Sequence, residues 1–169
     1  MQFNVSDLLR EAYGAVREYE IDEEMRIDGQ SRRLSGHVRL DRVPQGIFVR
    51  AALRSIFTAE CSRCLDAFSA PVDLMIEEQY IPTVDLVTGA KVRPTEGEED
   101  AYRINERHML DLTLPVQQYW TMAQPIAPVC REDCEGICPT CGARRGAGHA
   151  CAPDQVDGRW EKLRDLRFG

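Results

Sequence analysis

Residues 49–59 read Val-Arg-Ala-Ala-Leu-Arg-Ser-Ile-Phe-Thr-Ala. Every second position of this stretch carries an apolar or small side chain, and most of the intervening positions are polar or charged. A period of two is typical of a β-strand with one buried face. Val38 and Leu40 show the same alternation, and the link at 43–47 contains Pro, Gln and Gly, which favour a chain reversal. The sequence therefore predicts an antiparallel hairpin.

Further elements follow on either side of this hairpin. Apolar residues at helical spacing after Val5 predict a short N-terminal helix, and alternation over 72–80 predicts another strand. Asp111 precedes an amphipathic run that predicts a helix ending near Pro125, with its aromatic residues in the core. The fold class predicted is α+β, with an antiparallel sheet, flanking helices and a C-terminal cysteine-rich zinc-binding module.

The composition changes twice along the chain. Residues 82–100 collect Gly, Pro and acidic side chains with few large apolar ones, which predicts a mobile acidic surface loop. From Cys130 onwards, five cysteines fall within a short stretch, and apolar residues at helical spacing over 160–168 predict a terminal helix. The predicted division is a sheet domain at 1–129 and a zinc-knuckle module with its C-terminal helix at 130–169.

Charge and hydropathy exclude several classes of protein. With 21 basic against 28 acidic residues, the net charge is -7, which disfavours a general binder of nucleic acids. Charged residues within the first fifteen positions interrupt any secretory segment, and three prolines make the uncharged run at 112–130 a poor membrane helix. We expect a soluble cytoplasmic protein without a membrane partner. In that reducing compartment, seven cysteines favour metal binding over disulfides.

The densest cysteine segment contains Cys138-Pro-Thr-Cys141-Gly, which is typical of a zinc knuckle. Two intervening residues bring both sulfurs to one Zn²⁺, and Gly142 permits the tight backbone approach that lets amides donate hydrogen bonds to the thiolates. A structural site needs four ligands. Because Cys134 and Cys151 flank the knuckle closely, the preferred set is Cys134, Cys138, Cys141 and Cys151, with Zn²⁺ as a structural cofactor.

The sequence is also compatible with other ligand sets. The knuckle can pair instead with Cys61 and Cys64, because two knuckles on two hairpins form a zinc ribbon. Cys130 is a further donor in either scheme. His149 can replace a sulfur, although a solvent-facing imidazole in its glycine-rich loop is the simpler interpretation.

Cys61-Ser-Arg-Cys64 also has the spacing of a redox dithiol, and Arg63 would lower a thiol pKa. Dithiol oxidoreductases place this pair at a helix N-terminus, whereas here it joins two predicted strands. The chain shows no phosphate-binding loop and no metalloprotease motif. We therefore predict no enzyme, no catalytic residue and no small-molecule substrate, with a thiol–disulfide oxidoreductase or other cysteine-dependent enzyme as the alternative.

Several segments together resemble one known family. They are Glu60 to Leu65, the Ile81-Pro82 strand end, Asp111-Leu112, Cys130 to Gly142, and Asp157 to Trp160. In this order they resemble the YceD family, described as large ribosomal RNA subunit accumulation proteins. The resemblance implies a cytoplasmic bacterial protein that supports 23S rRNA accumulation and takes part in large-subunit biogenesis.

The resemblance implies no mechanism, so the charge of the chain is what indicates the kind of partner. An acidic loop and sheet edge favour a basic ribosomal protein or an assembly factor, because complementary charge speeds encounter. Direct contact with rRNA is the alternative, through Arg131, Arg144 and Arg145 beside the knuckle.

Overall fold

The structure is a computed structural model that describes residues 1–85, 88–92, 101–146, 148–151 and 159. The chain divides into two compact units. The sheet unit comprises Met1–Thr58 and Ser69–Ile126, and the cysteine unit comprises Ala59–Phe68 and Ala127–Gly169. The division predicted from sequence, 1–129 and 130–169, assigned residues 59–68 to the sheet, whereas the structure groups them with the C-terminal segment.

The elements follow one another from β1 to α2. In chain order they are β1 (Gln2–Asn4), α1 (Ser6–Arg10), β2 (Val16–Ile27), β3 (Gln30–Val43), β4 (Gly46–Glu60), β5 (Ala67–Pro82), β6 (Tyr102–Ile104), β7 (Met109–Asp111) and α2 (Thr113–Ala123). β1 and β7 form a two-stranded antiparallel sheet, and the other five strands form one sheet in the order β2-β3-β4-β5-β6. The described part of the chain is mostly β-sheet with two helices, which agrees in outline with the predicted α+β class.

The predicted hairpin is confirmed as β3 and β4. These strands pair antiparallel, with Val38 opposite Ala51 and Leu40 opposite Val49. β2, which was not predicted from the sequence, pairs antiparallel with β3 across a turn at Asp28 and Gly29. Both turn residues have positive φ angles, 51° and 77°, as a two-residue type I′ turn requires.

The sheet is mixed, so the prediction of a wholly antiparallel sheet is wrong at one edge. β6 runs parallel to β5, with Tyr80 opposite Tyr102. A parallel neighbour needs a long connection, and the chain between Pro82 and Tyr102 supplies it. The first cysteine pair does lie at a strand reversal, as predicted, because β4 ends at Glu60 and β5 begins at Ala67.

The core of the sheet unit follows the alternation of β4. Its side chains from Ile47 to Phe57 are buried at every second position. The polar member of this face is Ser55, whose hydroxyl donates to the Arg33 carbonyl at 2.7 Å and so keeps its hydrogen bond inside the core. The helices add Leu8 and Leu9 from α1 and the fully buried Trp120 from α2. The predicted N-terminal helix, the helix after Asp111 and the core position of an aromatic residue in that helix are thus confirmed.

Gly36 allows β3 and β4 to approach closely. A methyl group at this position would lie 2.0 Å from the Ala52 carbonyl oxygen, and the residue has a φ of +150°. Only glycine adopts such a conformation without strain. The Gly36 backbone is therefore fitted to its neighbour with no room for a side chain.

Two predicted features lie wholly or partly outside the described residues. The terminal helix predicted at 160–168 is one of them. Of the acidic segment predicted at 82–100, residues 86–87 and 93–100 also lie outside, and the described remainder contains an antiparallel bridge between Val84 and Lys91.

Candidate metal centres

The turn at residues 61–66 presents two cysteines on one side of a short backbone loop. The Cys61 amide donates to the Asp66 carbonyl at 2.8 Å, and the Leu65 amide donates to the Cys61 carbonyl at 2.9 Å. Leu65 takes a positive φ of 63°, which closes the turn tightly. Cys61 is fully buried and Cys64 is partly exposed.

A second segment, residues 128–137, is joined to this turn by main-chain and arginine contacts. The Ser62 amide donates to the Pro128 carbonyl at 2.8 Å, and the Ile137 amide donates to the Arg63 carbonyl at 3.1 Å. The Arg63 guanidinium donates to the carbonyls of Glu132 and Cys134, each at 3.0 Å. These hydrogen bonds bring the two cysteine-bearing segments into register.

Their four sulfurs form the first of two groups, the four-cysteine group: Cys61, Cys64, Cys130 and Cys134. All four sulfurs lie within 4.8 Å of one another. The Cys61 and Cys134 sulfurs are 3.8 Å apart, as are those of Cys64 and Cys130. A disulfide has sulfurs about 2.05 Å apart, so none of the pairs is cross-linked.

The knuckle at Cys138–Gly142 closes by two backbone hydrogen bonds. The Gly142 amide donates to the Cys138 carbonyl at 2.9 Å, and the Cys138 amide donates to the Ala143 carbonyl at 2.8 Å. Gly142 has a φ of +70°, which favours glycine, but a methyl group added there would meet no atom within 4 Å, so the close backbone approach predicted at this position is not seen. An antiparallel bridge between Ile137 and Arg144 extends the reversal.

The second group, the histidine-containing group, is Cys138, Cys141, His149 and Cys151. Its ligand atoms also lie within 4.8 Å of one another, and the Cys141 sulfur is 3.8 Å from Nε2 of His149. The His149 amide donates to the Gly146 carbonyl at 2.9 Å, which turns the chain back towards the knuckle. Both groups have ligand sets that could hold a metal ion.

Backbone amides already favour thiolate in each group. Amides at Cys130 and Cys64 hold the pKa of Cys61 below its ordinary value, at about 6. The Cys141 amide, followed by the His149 side chain, lowers the pKa of Cys138 to about 5. Burial raises the pKa of Cys64 and of Cys130. Amide donors to coordinating sulfur are a usual feature of structural metal sites.

The structure distributes the four ligands predicted from sequence between the two groups. Cys138, Cys141 and Cys151 lie together, whereas Cys134 lies with Cys61, Cys64 and Cys130. The fourth place beside the knuckle is taken by His149, for which the sequence favoured a solvent-facing side chain. The split scheme, in which the knuckle shares a site with Cys61 and Cys64, is not the arrangement seen.

The arginines beside the knuckle are largely committed to acidic partners. Arg131 lies 3.2 Å from Asp133, and Arg144 forms an ion pair with Asp66. The Arg145 amide donates to the Gly136 carbonyl at 2.9 Å, and its side chain is exposed. Two of the three side chains proposed for RNA contact therefore lie beside acidic groups, in ion pairs that are largely exposed.

A family model described as "Large ribosomal RNA subunit accumulation protein YceD" matches residues 49–167, more than half of the chain. The chain belongs to the YceD family. The resemblance noted in the sequence is thereby confirmed. The YceD match contains all seven cysteines and His149, and hence both candidate metal centres.

Curated relatives of this YceD family member come from mycobacteria. An uncharacterized protein of Mycobacterium tuberculosis is 28% identical over 137 residues, covering 81% of this chain and 63% of the relative. An uncharacterized protein of Mycobacterium leprae is 29% identical over 133 residues, covering 76% and 57%. The chain thus spans less than two thirds of the length of these relatives. No solved structure gives a significant match.

Neither helix of this YceD family member has the length and apolar character needed to cross a bilayer, within the ranges that the structure describes.

Proposed function

We propose that this chain is a non-enzymatic factor in bacterial large ribosomal subunit biogenesis that supports the accumulation of 23S rRNA in the cytoplasm. The observation that carries this proposal is the match to the YceD family over residues 49–167. The match covers most of β4, the later strands and all described residues of the cysteine unit. Both candidate metal centres therefore lie inside it.

A basic ribosomal protein or assembly factor fits the cysteine unit better than bare rRNA does. The described residues of this unit carry five acidic side chains, Glu60, Asp66, Glu132, Asp133 and Glu135, and five basic ones, Arg63, Arg131, Arg144, Arg145 and Arg159, so their formal charges cancel. The negative charge of the unit comes instead from its cysteines, because three or four thiolates exceed the charge of the divalent ion that they bind. Complementary charge then favours a cationic protein, whereas phosphate contacts need uncommitted Lys or Arg.

The ion pairs of the arginines support the same choice. Arg144 would have to leave Asp66, and Arg131 would have to leave Asp133, before either side chain could neutralise a phosphate. Direct contact with rRNA, the second possibility, therefore depends mainly on Arg145 among the three arginines beside the knuckle. Binding to naked 23S fragments should be weak and should fall steeply with salt.

Within the cysteine unit, we propose Zn²⁺ as the ion of the histidine-containing group. Three thiolates and one imidazole are a usual donor set for a structural zinc site. A tetrahedron with Zn–S of about 2.3 Å and Zn–N of about 2.0 Å has an S···N edge of about 3.5 Å, and the Cys141 sulfur lies 3.8 Å from Nε2 of His149. The ion would hold His149 and Cys151 beside the knuckle. This role is structural and involves no reaction step.

A matched pair of variants separates this ligand set from Cys134, Cys138, Cys141 and Cys151. His149→Ala removes a ligand from the histidine-containing group, so zinc affinity at that site should fall at least about 100-fold. If Cys134 is the fourth ligand instead, His149→Ala leaves the affinity unchanged. His37→Ala, in β3 of the sheet unit, is the control. Competition with a chromogenic chelator measures the affinity.

The competing function is a thiol–disulfide oxidoreductase. Cys61 has the lowered pKa that such an enzyme uses, but its side chain is fully buried and a substrate disulfide has no access to the sulfur. We expect the purified protein to leave insulin disulfides intact at any concentration tested. Measurable, Cys61-dependent reduction would favour the enzyme.

Depletion of the protein in its host tests the biogenesis role. The 23S to 16S ratio should fall selectively, with fewer free large subunits on sucrose gradients, and the wild-type chain should restore both. Crosslinking mass spectrometry on the same cells identifies the contact, which we expect on a basic protein of the precursor particle. An unchanged 23S to 16S ratio after full depletion would contradict the proposal.

A further inference from the structure

We infer that the chain binds two metal ions, the second held by the thiolates of Cys61, Cys64, Cys130 and Cys134. This site goes beyond the proposed function, because it stands or falls on metal stoichiometry whatever the protein binds in the cell. The two sites share no ligand, since each group of four is complete by itself.

The distances between sulfurs match a tetrahedral thiolate site. Zn–S bonds of about 2.3 Å give a tetrahedron with S···S edges of about 3.8 Å. Two contacts of the group, Cys61 to Cys134 and Cys64 to Cys130, are both 3.8 Å. A pair of hydrogen-bonded thiols would account for one such contact. It gives no reason for all four sulfurs to lie within 4.8 Å of one another.

The surrounding contacts hold both halves of the site without using the thiols. Arg63, which lies between the first two cysteines, donates to the carbonyls of Glu132 and Cys134 on the other segment. Gly136 packs so tightly here that a methyl group at its position would lie 2.9 Å from the Arg63 carbonyl oxygen. The segments are therefore positioned by groups other than the sulfurs, which preorganises the four donors.

Ligand arithmetic supports two ions. The chain has seven cysteines, and one Cys₄ site with one Cys₃His site uses all of them. The odd number of cysteines is therefore explained without a free thiol or an intermolecular disulfide. Because the donors are four soft thiolates that lie within 4.8 Å of one another, the ion they favour is Zn²⁺.

Metal analysis of the full chain tests the stoichiometry. Inductively coupled plasma mass spectrometry should give two Zn²⁺ per wild-type chain and one for Cys61→Ser/Cys64→Ser. Cys141→Ser/Cys151→Ser should also give one. The matched control Ser62→Ala, which changes a side chain between the first two cysteines, should keep two. One ion per wild-type chain, or two retained in Cys61→Ser/Cys64→Ser, would overturn the inference.

Thiol labelling of the wild-type protein gives a test that needs no variant to fold. Cys64 and Cys130 are partly exposed, so burial alone does not protect them from a small thiol reagent. In the zinc-loaded protein both should react at least about 100-fold more slowly than after zinc is removed with a chelator. Peptide mass spectrometry identifies the labelled positions. Rapid labelling of Cys64 and Cys130 in zinc-loaded protein would overturn the second site.

Discussion

Replacing Gly36 with alanine should destabilise the sheet unit far more than its small size suggests. The new methyl group would lie 2.0 Å from the Ala52 carbonyl oxygen and 3.0 Å from both the carbonyl carbon and the Leu53 Cα. Close C–H···O contacts between strands have C···O distances of about 3.3 Å or more, so the overlap is about 1.3 Å. All three atoms are backbone of β4, and none can rotate away.

The free-energy cost has two parts. Overpacking of this kind costs about 1–3 kcal/mol, and an alanine at a glycine-only backbone conformation costs about 1–3 kcal/mol more. A loss of about 4 kcal/mol lowers Tm by on the order of 10 °C in a protein of this size. Gly29→Ala is the matched control, because Gly29 also has a positive φ but a methyl group added there would meet no atom within 4 Å. Gly29→Ala should cost about 1 kcal/mol.

Fluorescence of Trp120 provides the assay. The chain has two tryptophans, so Trp160→Phe leaves the fully buried Trp120 as the single reporter of the sheet unit. Urea unfolding of Gly36→Ala and Gly29→Ala in this background gives the two free energies of unfolding. Equal losses for the two variants would refute the claim that a close strand approach, rather than backbone conformation alone, fixes the glycine at position 36.

Three further outcomes follow from individual contacts. Tyr80→Phe removes a buried hydroxyl that donates to a backbone carbonyl at 2.8 Å, so the free energy of unfolding should fall by about 1–3 kcal/mol in urea titrations. Arg63→Ala should speed zinc release to a chelator, while Arg131→Ala, which removes only an exposed ion pair, should leave the release rate unchanged. The hydrogen bond from Arg54 holds the pKa of Asp73 below its ordinary value, so Arg54→Ala should raise that pKa in an NMR titration. Because the pKa of Asp73 is lower in the folded state than in the unfolded state, the pair stabilises the fold at a pH above the ordinary Asp pKa. This stabilisation is lost as the pH falls through the lowered pKa.

The strands with a clean buried face could be predicted from sequence, and the edge strand could not. β4 alternates because one of its faces lies in the core. β2 lies at the end of the sheet order, where most side chains stay exposed and charged residues such as Asp22 pair across to Arg33 of β3. Its acidic run therefore gave no period-two signal of a strand. The signal that would have found it is Asp28-Gly29, a dipeptide typical of a two-residue hairpin turn.

The cysteines were recognised as donors, but their grouping depends on contacts that spacing does not encode. Cys134 is close in sequence to the knuckle, yet hydrogen bonds from Arg63 and Ser62 place its segment beside Cys61. Such long-range pairing is invisible in a local motif. His149 had a detectable signal, since it lies two positions before Cys151 and imidazole is a usual zinc ligand.

The distance along the chain between the two halves of the four-cysteine group has a consequence for synthesis. A ribosome makes Cys61 and Cys64 first and must translate residues 65–129 before Cys130 appears. At about 5–20 residues per second this takes roughly 3–13 s. During that interval the nascent chain carries Cys61 and Cys64 as free thiols, open to metal exchange and oxidation. Their partners Cys130 and Cys134 have not yet been synthesised. The four-cysteine group therefore cannot be complete before Cys134 has been synthesised.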